Sequence, residues 1–137
     1  MLNSSTSRIY LPQQVGVAAG LGGPLAGAVL LKLNYRALGE QPIGALPVAW
    51  GFALTLVLVI LALRGHGGGA VLSVWIGFSY WRYANHLQGA AISERISNGT
   101  LGQGWLRTVF IAVAILLGTA VVAFLLRVLL EAQGFEV

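Results

Sequence analysis

The chain has 137 residues, room for one domain. Hydrophobic residues make up 57% and charged residues 9%, against about 25% charged in a soluble domain, and mean hydropathy is +0.81; a surface facing only water is excluded. Cysteine is absent, which removes disulfides and thiolate chemistry, and the net charge of +4 comes from basic residues scattered singly, without the patch that nucleic-acid binding needs.

Residues 1–14 are polar and carry a single Arg8, and no small-residue cleavage site follows the first apolar run, so that run is read as a retained span. It covers about 15–33. Within it Gly16, Gly20, Gly23 and Gly27 step by four, three and four residues, which places them on one face of a helix, with Ala19 and Ala26 beside them. In water each such glycine costs about 1 kcal/mol relative to alanine, and Pro24 about 3. In lipid the helix persists, and a face without side chains lets another helix approach closely. Gly16, Gly20, Gly23, Pro24 and Gly27 are therefore the candidate helix-packing residues, with a kink expected at Pro24. The alternative use of the same break is ion coordination by the carbonyl that Pro24 leaves free.

Lys32 and Arg36 close this run, and a polar connection with Gly39, Glu40 and Pro42 follows. A second uncharged run predicts a span over about 46–64, with Pro47 in its first turn and Arg64 at its end. Gly67-Gly68-Gly69 then breaks the chain. The apolar stretch over about 70–84 is short enough to be either a span or an interfacial helix. Tyr80-Trp81-Arg82-Tyr83 has the character of an interfacial aromatic belt. Beyond it Ser79, Arg82, His86, Gly89 and Ser93 repeat at helical spacing, with Ile76, Tyr80, Tyr83, Leu87 and Ala91 on another side. One continuous helix from about Ala70 to Ile96 is expected, amphipathic over about 82–96. Arg82, His86 and Arg95 are its candidate contacts to lipid headgroups or a partner. A turn through Asn98-Gly99-Thr100 and Gly102-Gln103-Gly104 leads to the last span, about 107–127.

Chemistry-bearing constellations are missing from the spacing. His66 lies in a glycine-rich loop, His86 has no second ligand at metal spacing, and Glu40, Glu94, Glu131 and Glu136 all lie outside the apolar runs. No catalytic residue, metal site or cofactor is assigned. Charge counting leaves orientation open: four crossings and three crossings each give a five-against-three bias, with opposite placements of the N-terminus.

Ile9-Tyr10, Pro12, Gln14, Gly22-Gly23-Pro24-Leu25-Ala26-Gly27, Asn34-Tyr35 and Ala37-Leu38-Gly39 resemble the opening of a group of small, uncharacterised bacterial membrane proteins. The likeness extends to the stretch from His86-Leu87-Gln88-Gly89 to Gly104-Trp105. It implies a bacterial inner-membrane protein and supplies no activity. Gly22-Gly23, Gly27 and the basic residue after the first span also resemble the first helix of small fluoride channels, which implies four spans and a dual-topology dimer. The Thr- and Phe-rich break of their third helix has no counterpart in Val74-Trp75-Ile76-Gly77-Phe78-Ser79.

The expected architecture is an all-α integral membrane bundle of three or four transmembrane helices, with an amphipathic interfacial helix before the last span. The expected role is that of a non-enzymatic accessory or scaffold subunit that contacts the lipid bilayer and forms a homo-oligomer or joins a larger membrane complex. The alternative role is an oligomeric small ion channel or carrier.

Overall fold

The computed structural model describes residues 8–40, 45–65 and 69–134. Pro42, His66 and Glu136 lie outside these residues. Four helices follow in order: α1 (Pro12–Leu38), α2 (Ala45–Leu63), α3 (Gly69–Ser97) and α4 (Trp105–Ala132). The fold is an all-α bundle. Three of the helices, α1, α2 and α4, are long and apolar enough to cross a membrane by length and composition.

The path of α1 breaks where a kink is expected at Pro24, but the break is a full reversal, so the glycines do not share the one helix face expected of them. Gly23 has φ 78° and ψ −179°, a conformation open essentially to glycine alone, and it divides α1 into two arms. Pro24 reinforces the break, because it disfavours helical backbone at the residue before it. The arms run back beside each other. Asn34 Oδ1 accepts the Tyr10 N–H at 2.8 Å, and Asn34 Nδ2 donates to the Tyr10 carbonyl at 2.8 Å. Residues 24 apart in sequence would stand about 36 Å apart along one helix. Thus α1 is a helical hairpin whose two ends share one side of the molecule. Its first arm, residues 12–22, descends only about 16 Å, roughly half of a bilayer core.

This hairpin is the centre of the bundle. It packs against α2, α3 and α4, whereas α2 and α3 do not pack on each other, nor do α3 and α4. Accordingly 67% of the most apolar window of α1 is buried, against 17% for α2 and 6% for α4. The core comprises Val15, Ala18, Ala26, Leu30 and Leu31 of the hairpin with Ala84 and Ala112 from its neighbours. Helix α2 descends from the mouth of the hairpin past its tip, α3 climbs back to the mouth, and α4 descends again. Their order follows from the contacts: Gly51 of α2 lies against Pro24 and Ala28, Gly77 of α3 against Gly16 and Gly20, and Ala112 of α4 against Gly22.

As expected, the segment from residue 70 to residue 96 is one continuous helix. Its buried residues belong to neither of the two sets that the spacing picks out. Ala84, Gln88 and Ile92 are buried, while Tyr83 and Leu87 are 49% and 44% exposed. The reason is polar pairing. Gln88 Nε2 donates to the Leu31 carbonyl at 3.3 Å, and its Oε1 accepts from Asn34 Nδ2 at 3.2 Å. A glutamine that satisfies groups of the hairpin fixes the rotation of α3 in place of the more apolar stripe beside it.

Candidate functional site

The glycines let backbones meet. A β-carbon at Gly16 would stand 2.7 Å from the Trp81 Cβ and 2.9 Å from the Gly77 carbonyl of α3. Gly20 looks toward the Ser73 carbonyl, 3.4 Å from where its β-carbon would be. Gly27, on the second arm, faces the Tyr80 ring and Ala19 of the first arm. Gly23 has nothing within 4 Å; its role is conformational. The five residues therefore do not form one face. Gly16 and Gly20 receive α3, Gly23 and Pro24 make the reversal, and Gly27 closes the two arms on each other. Gly22, Gly51 and Gly77 make equally close approaches, and the four-residue spacing that singled out the others did not reveal them.

Polar side chains anchor both ends of the hairpin. At the mouth, Gln14 Oε1 accepts the Leu11 N–H at 2.8 Å, and its Nε2 donates to the Gln103 carbonyl at 2.8 Å. The Gln103 N–H in turn donates to the Ile9 carbonyl at 2.8 Å, which ties the turn before α4 to the start of α1. At the tip, the second arm begins with Pro24, which has no N–H, and the free N–H of Leu25 donates to Thr55 Oγ1 at 3.1 Å. The Thr55 hydroxyl in turn donates to the Gly51 carbonyl at 2.8 Å. One hydroxyl of α2 thus caps a helix start that lies deep in an apolar bundle, where an unpaired donor would be costly.

Two concavities border the glycines. Gly16, Gly20 and Gly77 floor a groove of about 740 Å³ on the outside of the bundle, walled by Val17, Leu21, Val74 and Phe78. The second lies beyond the tip, where the hairpin ends and the other three helices continue. It measures about 400 Å³ and reaches Gly22, Gly23, Ser73 and Thr119 among apolar walls. Arg82, His86 and Arg95 are exposed on α3 and line neither space. Helix α3 carries no break between Gly69 and Ser97. Among the described residues no group of three His, Cys, Asp or Glu side chains is placed to hold a metal ion. Comparison with known protein families, curated proteins and solved structures gives no match for this chain.

Proposed function

We propose that this chain is a non-enzymatic membrane subunit, of the bacterial inner membrane by its sequence likeness, and that it works by docking a helix of a second copy of itself. The observation that carries this reading is the groove floored by Gly16, Gly20 and Gly77. Backbone at the floor and branched or aromatic side chains at the walls suit a helix held by van der Waals contact, the main attraction between helices in lipid. The apolar flanks of α2 and α4, with Trp50 and Phe124 each 65% exposed, leave ample surface for lipid around such a contact.

The hairpin also supports an orientation. With both ends of α1 on one side, Arg8, Lys32, Arg36, Arg82, Arg95 and Arg107 gather toward the mouth, and Arg64 and Arg127 lie toward the other side. Six against two favours a cytoplasmic mouth with three crossings, by α2, α3 and α4.

Val74→Cys, 70% exposed on the groove wall, tests the docking. Copies in native membranes are expected to cross-link through position 74, and Val17→Trp, which fills the groove from its rim, is expected to abolish the cross-link. Monomers at every protein-to-lipid ratio would refute the reading. The tip cavity favours a second reading, a channel or carrier, because interrupted backbone at membrane depth recurs at ion and substrate sites. Selective flux into liposomes, lost in Thr119→Val, would establish it in place of the contact role.

A further inference from the structure

Three arginines that are far apart in sequence meet at the mouth of the hairpin. Arg8 precedes α1, Arg36 ends its second arm, and Arg107 opens α4; together with Tyr10, Leu33 and Gln103 they line a cavity of about 340 Å³. None of the three makes an ion pair or a side-chain hydrogen bond among the described residues. Tyr10 is 2% exposed, yet its hydroxyl has no hydrogen-bond partner among the described residues. A buried hydroxyl without a partner is rare in a finished site and marks a place for a missing acceptor.

We propose that this cavity binds a phosphate group, carried by an anionic lipid headgroup or free in solution, through Arg8, Arg36 and Arg107 with the Tyr10 hydroxyl as an added donor. Each guanidinium presents a planar fork of donors that matches phosphate oxygens, and three of them suit a doubly charged or multiply contacted anion. Burial pushes the Tyr10 hydroxyl above its usual range while the Arg107 charge opposes it, so this phenol stays protonated and able to donate near neutral pH. The site is a product of the hairpin, since a straight α1 would carry Arg36 away from Arg8 by the length of the helix. Its apolar wall of Leu33 and Ala37 leaves room for the carbon backbone of a headgroup.

The full chain in phosphatidylcholine nanodiscs provides the test, in two arms. In the first, inorganic phosphate is titrated against chloride at equal ionic strength, and binding is read from the thermal unfolding midpoint. In the second, a tenth of the phosphatidylcholine is replaced by phosphatidylglycerol without free phosphate, and retained lipid is counted by native mass spectrometry. Saturable binding in the first arm identifies free phosphate, and binding only in the second identifies the headgroup. In whichever arm binds, Arg36→Gln and Arg107→Gln are each expected to weaken it about tenfold. Tyr10→Phe should weaken it less, and Arg64→Gln at the far end should leave it unchanged. Absence of binding in both arms, or equal weakening by Arg64→Gln, overturns the assignment.

Discussion

Replacing Asn34 by leucine tests the hairpin at its clasp. The side chain is fully buried, and its amide makes three hydrogen bonds: two with the Tyr10 backbone at 2.8 Å and one to Gln88 Oε1 at 3.2 Å. Leucine has the same number of side-chain heavy atoms and the same branch at Cγ, so the change removes the polar partners while keeping the side-chain skeleton. It leaves the Tyr10 N–H and C=O without partners in a buried setting, and each such group costs about 1–3 kcal/mol. Gln88 keeps its bond to the Leu31 carbonyl and loses only one acceptor contact. The expected destabilisation is therefore about 2–6 kcal/mol, mostly from opening the mouth. Two measurements read it: the unfolding midpoint in mild detergent, and hydrogen exchange at the Tyr10 amide. The amide should exchange much faster in Asn34→Leu, while amides at the tip change less because Thr55 still caps Leu25. A variant with wild-type stability and a protected Tyr10 amide would refute the clasp, and a straight α1 would predict that result.

Spin labels at Gln13 and Arg36 should report a separation under about 20 Å, as packed arms have axes about 8–10 Å apart, where a continuous helix would give about 35 Å. Gly22→Ala should destabilise the fold by about 1–3 kcal/mol, since the new methyl would stand 2.5 Å from the Ala112 carbonyl of α4. Gly118→Ala, with nothing within 4 Å, should be neutral or stabilise by up to about 1 kcal/mol. Equal unfolding midpoints for these two variants would remove the close approach as the reason for Gly22. A cysteine at position 93, exposed on α3, should react with membrane-impermeant thiol reagents only in inverted membranes; labelling from the periplasm alone would reverse the orientation.

Much of the fold is readable from the chain. The uncharged runs that become α2 and α4, and the helix that starts near Ala70, need only hydropathy and helical spacing. The reversal at Gly23 leaves a weaker trace. Four glycines at helical spacing and a 17-residue run both fit a straight span, and a kink at Pro24 fits as well. One local signal points further: a residue before proline resists helical backbone, and here that residue is a glycine, free to take φ 78°. Gln14, Asn34 and Gln88 give no warning individually, because polar residues near the end of an apolar run ordinarily meet water or headgroups. Only the doubled-back chain brings them together and buries them.

The same step explains why the basic residues look scattered in sequence. Arg8, Arg36 and Arg107 belong to segments that a straight first span would send to opposite sides of the membrane. A hairpin keeps both ends of α1 at the mouth, and α3 returns the chain there before α4 begins. Gly23 makes none of the lateral glycine contacts; its part is the path of the backbone. Its positive φ brings the two ends of α1 together: with the three crossings proposed above it turns a five-against-three charge bias into six against two, and it brings Arg8, Arg36 and Arg107 to one cavity with Tyr10. A side chain at position 23 has space, since nothing lies within 4 Å, so Gly23→Ala isolates the backbone effect. Its cost is the strain of φ 78° in an L-residue, about 1–3 kcal/mol, and it should lengthen the 13-to-36 label distance. An alanine that left both stability and that distance unchanged would mean that the turn does not depend on glycine, and the chain's topology would then need another cause.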